Sequence, residues 1–238
     1  MAITHIETVT ATAESTTIGV GKASFADLQD GDVLVMLNYG YEESPYAGLP
    51  LTTEPPSGWT VLGAQRNTTG YDWHSAILYK VMTDVASEPA SWDWTLAVAS
   101  ESTLVVSQFR GVDNSDPIDT MIDQVYLADS GGVDVYAGNN YAITDGAMAI
   151  SAIGFSHTVG AAPLILTAPS GWTKAAQAEI ISSDYATSAI AYKEFTAAGP
   201  VDTTEWGVAL DGHAQTAHSG CLWMVTLRPS GETPAGRV

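Results

Sequence analysis

The stretch Pro56-Ser57-Gly58-Trp59-Thr60 returns as Pro169-Ser170-Gly171-Trp172-Thr173, and Ser75-Ala76-Ile77-Leu78-Tyr79-Lys80 returns as Ser188-Ala189-Ile190-Ala191-Tyr192-Lys193. Both matches are displaced by 113 positions, from residue 56 to 169 and from 75 to 188. Two matches at one spacing mark an internal duplication, so the fold must accommodate two units of one plan. Asp30-Gly31 returns as Asp145-Gly146, two residues off that register. The expected division is a first repeat over residues 1–118, a second over 119–229 packed with the first, and a C-terminal arm over 230–238. The join, from Gly111 to Asp119, is turn-rich and holds no Gly/Ser linker, which favours one compact body.

The unit reads as strands. Asp32 to Leu37, Ala76 to Val81, Trp92 to Leu96 and Leu104 to Phe109 are short, rich in β-branched or aromatic residues, and bounded by Gly, Pro, Asp and Ser. The second half answers in the same order with Ala147 to Ile153, Ser188 to Tyr192, Trp206 to Leu210 and Cys221 to Leu227. The nearest approach to helical spacing, Ser24 to Leu28, is one turn at most. The class is all-β. Strands with one wet face must bury the other against a second sheet, which predicts a two-layer antiparallel β-sandwich, jelly-roll-like in topology.

Composition narrows the partners. Twenty-seven acidic residues against eight basic ones give a formal charge of −19, and a phosphate backbone would be repelled, so nucleic acid is not an expected partner. No basic region followed by an apolar core opens the chain, and no stretch approaches a membrane span. A chain made in the cytoplasm, without a secretory signal and without a membrane partner, is therefore expected. The single cysteine, Cys221, stands in an apolar run and reads as a small buried hydrophobe.

Catalytic chemistry finds little support. His5, His74, His157, His213 and His218 are scattered, and no nucleophile elbow, phosphate loop or dinucleotide fingerprint occurs, so neither an enzyme nor a cofactor is expected. Asp113, Asp116 and Asp119 on one loop, and Asp27, Asp30 and Asp32 on another, could take a calcium ion. Neither loop has calcium-loop spacing, and Asp at turns bonds its own backbone, which is the preferred reading. Arg110 and Arg228, scarce cations at equivalent strand ends, are expected to pair with nearby carboxylates. Tyr39, Tyr41 and Tyr46, beside Glu42 and Glu43, read as a long loop from Asn38 to Glu54 that offers either a subunit interface or a glycan platform. Trp59 and Trp172 read as equivalent core residues that follow a glycine turn.

The Pro-Ser-Gly-Trp-Thr motif sits among others: Asp30-Gly31-Asp32-Val33-Leu34-Val35, Ser75 to Lys80, Pro89 to Leu96, and Gln108-Phe109-Arg110-Gly111-Val112-Asp113. With these, and with Ala168 to Thr173, Ala197 to Pro200 and Val225 to Pro229 in the second half, the chain resembles a duplicated β-sandwich family of tailed-phage virions and phage-like elements. Asp145-Gly146-Ala147 departs from the pattern by lacking the second Asp. The resemblance covers nearly the whole chain and carries no catalytic residues. It implies a virion-surface structural protein, foremost a capsid decoration or cement protein, with the major capsid protein and copies of itself as partners, a trimer among the candidate assemblies. A spike or fibre module that binds host surface glycan is the alternative.

Overall fold

In the computed structural model, the residues described are 2–42, 55–67, 72–127, 135–136, 140–142, 144–157, 164–181, 185–201, 205–210 and 218–231. The first half holds β1 (Thr4–Gly21), β2 (Val33–Glu42), β3 (Thr60–Asn67), β4 (Asp72–Val81) and β5 (Ser91–Arg110). The second holds β6 (Ile118–Leu127), β7 (Val135–Tyr136), β8 (Asn140–Ala142), β9 (Met148–His157), β10 (Leu164–Thr167), β11 (Thr173–Ile181), β12 (Tyr185–Glu194), β13 (Gly199–Val201), β14 (Glu205–Leu210) and β15 (His218–Leu227). Single 3₁₀ turns at Lys22–Ser24 and Val85–Ser87 are the helical elements among the described residues. The chain is all-β, and every strand pair among the described residues is antiparallel.

One five-stranded sheet runs β1-β5-β2-β4-β3 and a second runs β6-β15-β9-β12-β11, so each strand of the first has a counterpart at the same place in the second. The agreement reaches individual pairs. Val33 faces Val81 in the first sheet, and their counterparts Met148 and Glu194 face each other in the second. A bulge between Val61 and Gly63 leaves Leu62 extra opposite β4, and one between Lys174 and Ala176 leaves Ala175 extra opposite β12. The β1 bulge between His5 and Glu7 has its counterpart in β6, where Ile118 faces Leu227 and Thr120 faces Thr226. A bulge adds one residue to one strand and re-aims the chain, so its position is a detail that strand propensity alone does not set.

Each repeated motif builds the same turn. The Trp59 N–H donates to the Pro56 carbonyl at 3.1 Å and the Trp172 N–H to the Pro169 carbonyl at 3.0 Å, while Gly58 and Gly171 take φ of 80° and 77°. A positive φ at the third residue is the mark of a type II turn, where a Cβ would be strained.

The two sheets stack face to face, with Val33, Val35, Leu37 and Tyr39 of β2 meeting Ile150, Ala152, Ile190 and Val225 in a central core. Two layers do not complete the fold. Leu34 and Met36 of β2 point the other way, into a separate core with Ile18, Val20, Trp92, Trp94 and Leu96. Those residues come from the far ends of β1 and β5, whose pairing jumps from Ser15↔Ser100 to Thr17↔Thr95 and so bends the hairpin over the outer face. The second half covers its outer face with a separate sheet, β10-β14-β7, in which Leu164, Leu166 and Trp206 cover Ile153, Phe155 and Ala189. The expectation of one wet face per sheet is corrected, because β2 is apolar at consecutive positions and is buried on both sides.

Candidate functional site

The charged residues gather at strand ends near the join between the halves. Gln29 donates its backbone N–H to Asp32 Oδ2 at 2.8 Å and Gln108 Nε2 donates to the same oxygen at 2.6 Å. Arg110 completes the set in bidentate fashion, with Nε to Asp32 Oδ1 at 2.8 Å and Nη2 to Oδ2 at 3.0 Å, and Nη1 reaches Asp27 Oδ2 at 3.1 Å. Hydrogen bonds from Gln29 and then Arg110 hold the Asp27 carboxyl below its usual range, and Asp32 raises the Arg110 guanidinium further. In the second half Arg228, nearly buried, ion-pairs with Asp116, and its Nε lies 3.6 Å from the fully buried Asp119. Asp119 in turn accepts from the Thr144 hydroxyl at 2.6 Å and the Thr144 N–H at 3.1 Å. Both arginines thus meet carboxylates, as their scarcity and position predicted.

Asp113, Asp116 and Asp119 do not converge on one point. Asp113 caps its own turn, accepting from the Ser115 N–H at 2.9 Å and hydroxyl at 2.6 Å, which lowers its pKa, while Asp116 and Asp119 face Arg228. The cation that these two carboxylates meet is a guanidinium. In the other loop Asp27 and Asp32 serve Arg110 in the same way, and Asp30 accepts from the Val85 N–H at 2.7 Å. Among the described residues no group of three or more His, Cys, Asp or Glu side chains could hold a metal ion.

The tyrosine loop is corrected in part. Tyr39 and Tyr41 belong to β2, are 0% and 2% exposed, and continue the inward row Val33, Val35, Leu37 into the central core, so they offer a ligand no surface. Glu42 ends that strand; Glu43 and Tyr46 lie outside the described residues. Trp59 is buried and stands edge-on to Trp92 at 6.0 Å, whereas Trp172 is only partly buried at the margin of its core. The two are counterparts in position but not in burial. Burial pushes the Cys221 thiol up to about 12, which leaves it protonated and unreactive at neutral pH.

One buried pair escaped the sequence reading. Lys80 Nζ sits 3.0 Å from Glu88 Oε1 beneath the Gly58 turn, and Glu88 Oε2 accepts from Trp92 Nε1 at 3.2 Å. A lysine inside an apolar run, followed eight residues on by a glutamate beside a proline, is the signal that was present. The other cations whose side chains are described are also engaged within the chain. Lys22 donates to the Val85 and Glu88 carbonyls, Lys174 to the Leu166 carbonyl, and Lys193 lies 5.2 Å over the Phe195 ring. Exposed acids such as Asp30, Asp84 and Asp145 are left to set the sign of the outer field.

No protein-family model, curated protein or solved structure matches this chain.

Proposed function

We propose that this chain is a non-enzymatic structural protein of a tailed-phage virion, a decoration or cement protein that stabilises the head shell and is built by duplication of one sandwich unit. The observation that supports this reading best is the Pro-Ser-Gly-Trp-Thr turn, which carries the resemblance to that virion family and opens β3 and β11 at the same point of the same strand order. The matching registers and bulges support the duplication. The charged residues favour a structural role as well, since they are spent on fixing strand ends and turns. The proposed partners are the major capsid protein and further copies of the chain. The glycan alternative is weakened by the burial of Tyr39 and Tyr41.

Electron microscopy of the parent particle tests the reading. Regularly spaced copies on the head support it, and copies confined to the tail, or binding of the purified chain to host polysaccharide, overturn it. The arm over 230–238 lies outside the described residues beyond Gly231, and the Ser230 N–H is bonded to the Gly111 carbonyl at 2.8 Å, so a clean truncation starts at residue 232. Removal of residues 232–238 is expected to leave the melting temperature unchanged and to weaken binding to undecorated heads, as measured by co-sedimentation.

A further inference from the structure

The stacking of the sheets is reciprocal in part. β1 lies against β11 and, more lightly, its counterpart β6 against β3; β5 lies against β12 and, more lightly, its counterpart β15 against β4; β2 lies against its own counterpart β9, while β5 also packs on β11 and β2 on β12 more closely than their counterparts do in return. This approximates the pattern of a two-fold dimer, in which residue i meets j and j meets i, with β2 and β9 nearest the axis. A position on such an axis meets its own counterpart.

Tyr39 and Gly154 are counterparts on β2 and β9, and they touch: a Cβ at 154 would overlap the Tyr39 ring. Two first halves placed in this arrangement would set tyrosine against tyrosine, and two second halves would set glycine against glycine. Off the axis, a Cβ at Gly63 would overlap the Trp223 ring. The counterpart of Gly63 is Ala176 and that of Trp223 is Val105, so two second halves would drive Trp223 into a methyl group, while two first halves would leave Val105 short of Gly63. The polar groups follow the same rule. Trp223 Nε1 donates to Ser75 Oγ at 2.9 Å, and the counterpart hydroxyl, Ser188 Oγ, which by the same symmetry would face Val105, is buried with no hydrogen-bond partner among the described residues.

We propose that this internal face is a keyed, heterotypic interface. A first half accepts a second half, from its own chain or from a second copy of this chain, and refuses another first half. Large-into-small pairs at the axis and away from it reject both like pairings at once, which is how specificity is gained by penalising the wrong partner. Many copies could then fold side by side at high concentration without cross-pairing of like halves.

Two measurements test this. In the intact chain, Gly154→Ala is expected to lower the melting temperature in the wild-type background and to lower it less, or not at all, in a Tyr39→Gly background; Gly63→Ala should behave likewise against Trp223→Ala. Equal losses in both backgrounds overturn the keying. For discrimination, a protease site inserted between Asn114 and Ser115 is cut in the folded protein, and the halves are separated in denaturant and refolded alone and together. Mixed halves are expected to recover a 1:1 complex by light scattering, and the first half alone to form no dimer. A stable first-half homodimer, or failure of the mixed halves to recombine while the uncut chain refolds, overturns the proposal.

Discussion

Arg110 ends β5 and Arg228 directly follows the equivalent strand β15, yet they draw their buried carboxylates from different elements. Arg110 uses Asp32 at the start of β2; the counterpart of Asp32 is Ala147, and Arg228 instead uses Asp119 in the β6 bulge, where the first half has Ile6. The Trp92 and Trp206 indoles are similarly divided, the first donating to Glu88 and the second to Ser151 Oγ at 2.8 Å. The register and the bulges described above agree between the halves, although β6 carries a further irregularity opposite Trp223 that β1 lacks, while the partners of these buried polar groups differ. A charge needs a partner at bonding distance but does not dictate which strand supplies it, so Asp119 on β6 can do for Arg228 what Asp32 beside β2 does for Arg110.

The largest effects should be equal in the two halves. Trp92→Ala and Trp206→Ala, in side chains 1% and 0% exposed, are each expected to cost about 3–5 kcal/mol by chemical denaturation. A large inequality would break the equivalence of the two outer cores. Next comes the exchanged pairing: Asp119→Ile is expected to cost about 3–5 kcal/mol by leaving the nearly buried Arg228 without its inner partner. Adding Ala147→Asp, which rebuilds the first-half arrangement, should recover part of that loss; no recovery would mean that the two sites are not interchangeable. A smaller, unequal pair follows, with Trp59→Ala expected at roughly 3 kcal/mol and Trp172→Ala at about half of that, because only Trp59 is sealed in its core.

The smallest effect is a pH dependence that only the first half carries. His5 stacks on Tyr192 across the two sheets at 4.4 Å, bonds Thr8 at 2.8 Å, and burial depresses its pKa below the ordinary 6.5. The fold therefore favours the neutral ring, and the unfolded chain binds the proton more readily. Stability should be complete above the ordinary histidine range and fall as pH drops below it. Melting curves taken across that range should lose part of their slope in a His5→Phe variant, and an unchanged slope would remove His5 from the account.

Much of this architecture was legible, and the misses have physical causes. The displaced motifs and the Gly-Trp turns are local signals, and they located β3 and β11 and their partners. Tyr39 and Tyr41 were misread because Gly40 and the acids beyond it resemble a loop, although the alternation through residues 33, 35, 37, 39 and 41 runs unbroken onto one face. The outer covers were hidden for another reason. Trp92 and Trp94 read as one strand with one inner face, and only the five-residue jump in register between β1 and β5 turns them back over the sheet. The pairing of Asp119 with Arg228 and of Trp223 with Ser75 depends on contacts more than a hundred residues away, which no local pattern records.

At Gly111 several distant stretches of backbone meet. Thr4 pairs with Arg110 just before it, Ala2 lies against it closely enough that a Cβ there would collide, Val112 bridges to Pro229, and the Ser230 N–H bonds its carbonyl. The described chain is therefore almost a closed ring whose two ends and midpoint share one pole. Linking residue 231 to residue 2 and opening the backbone between Asn114 and Ser115 would reverse the order of the halves while leaving nearly every strand where it is. The order in which the halves are translated is thus a property of one exposed peptide bond rather than of the fold.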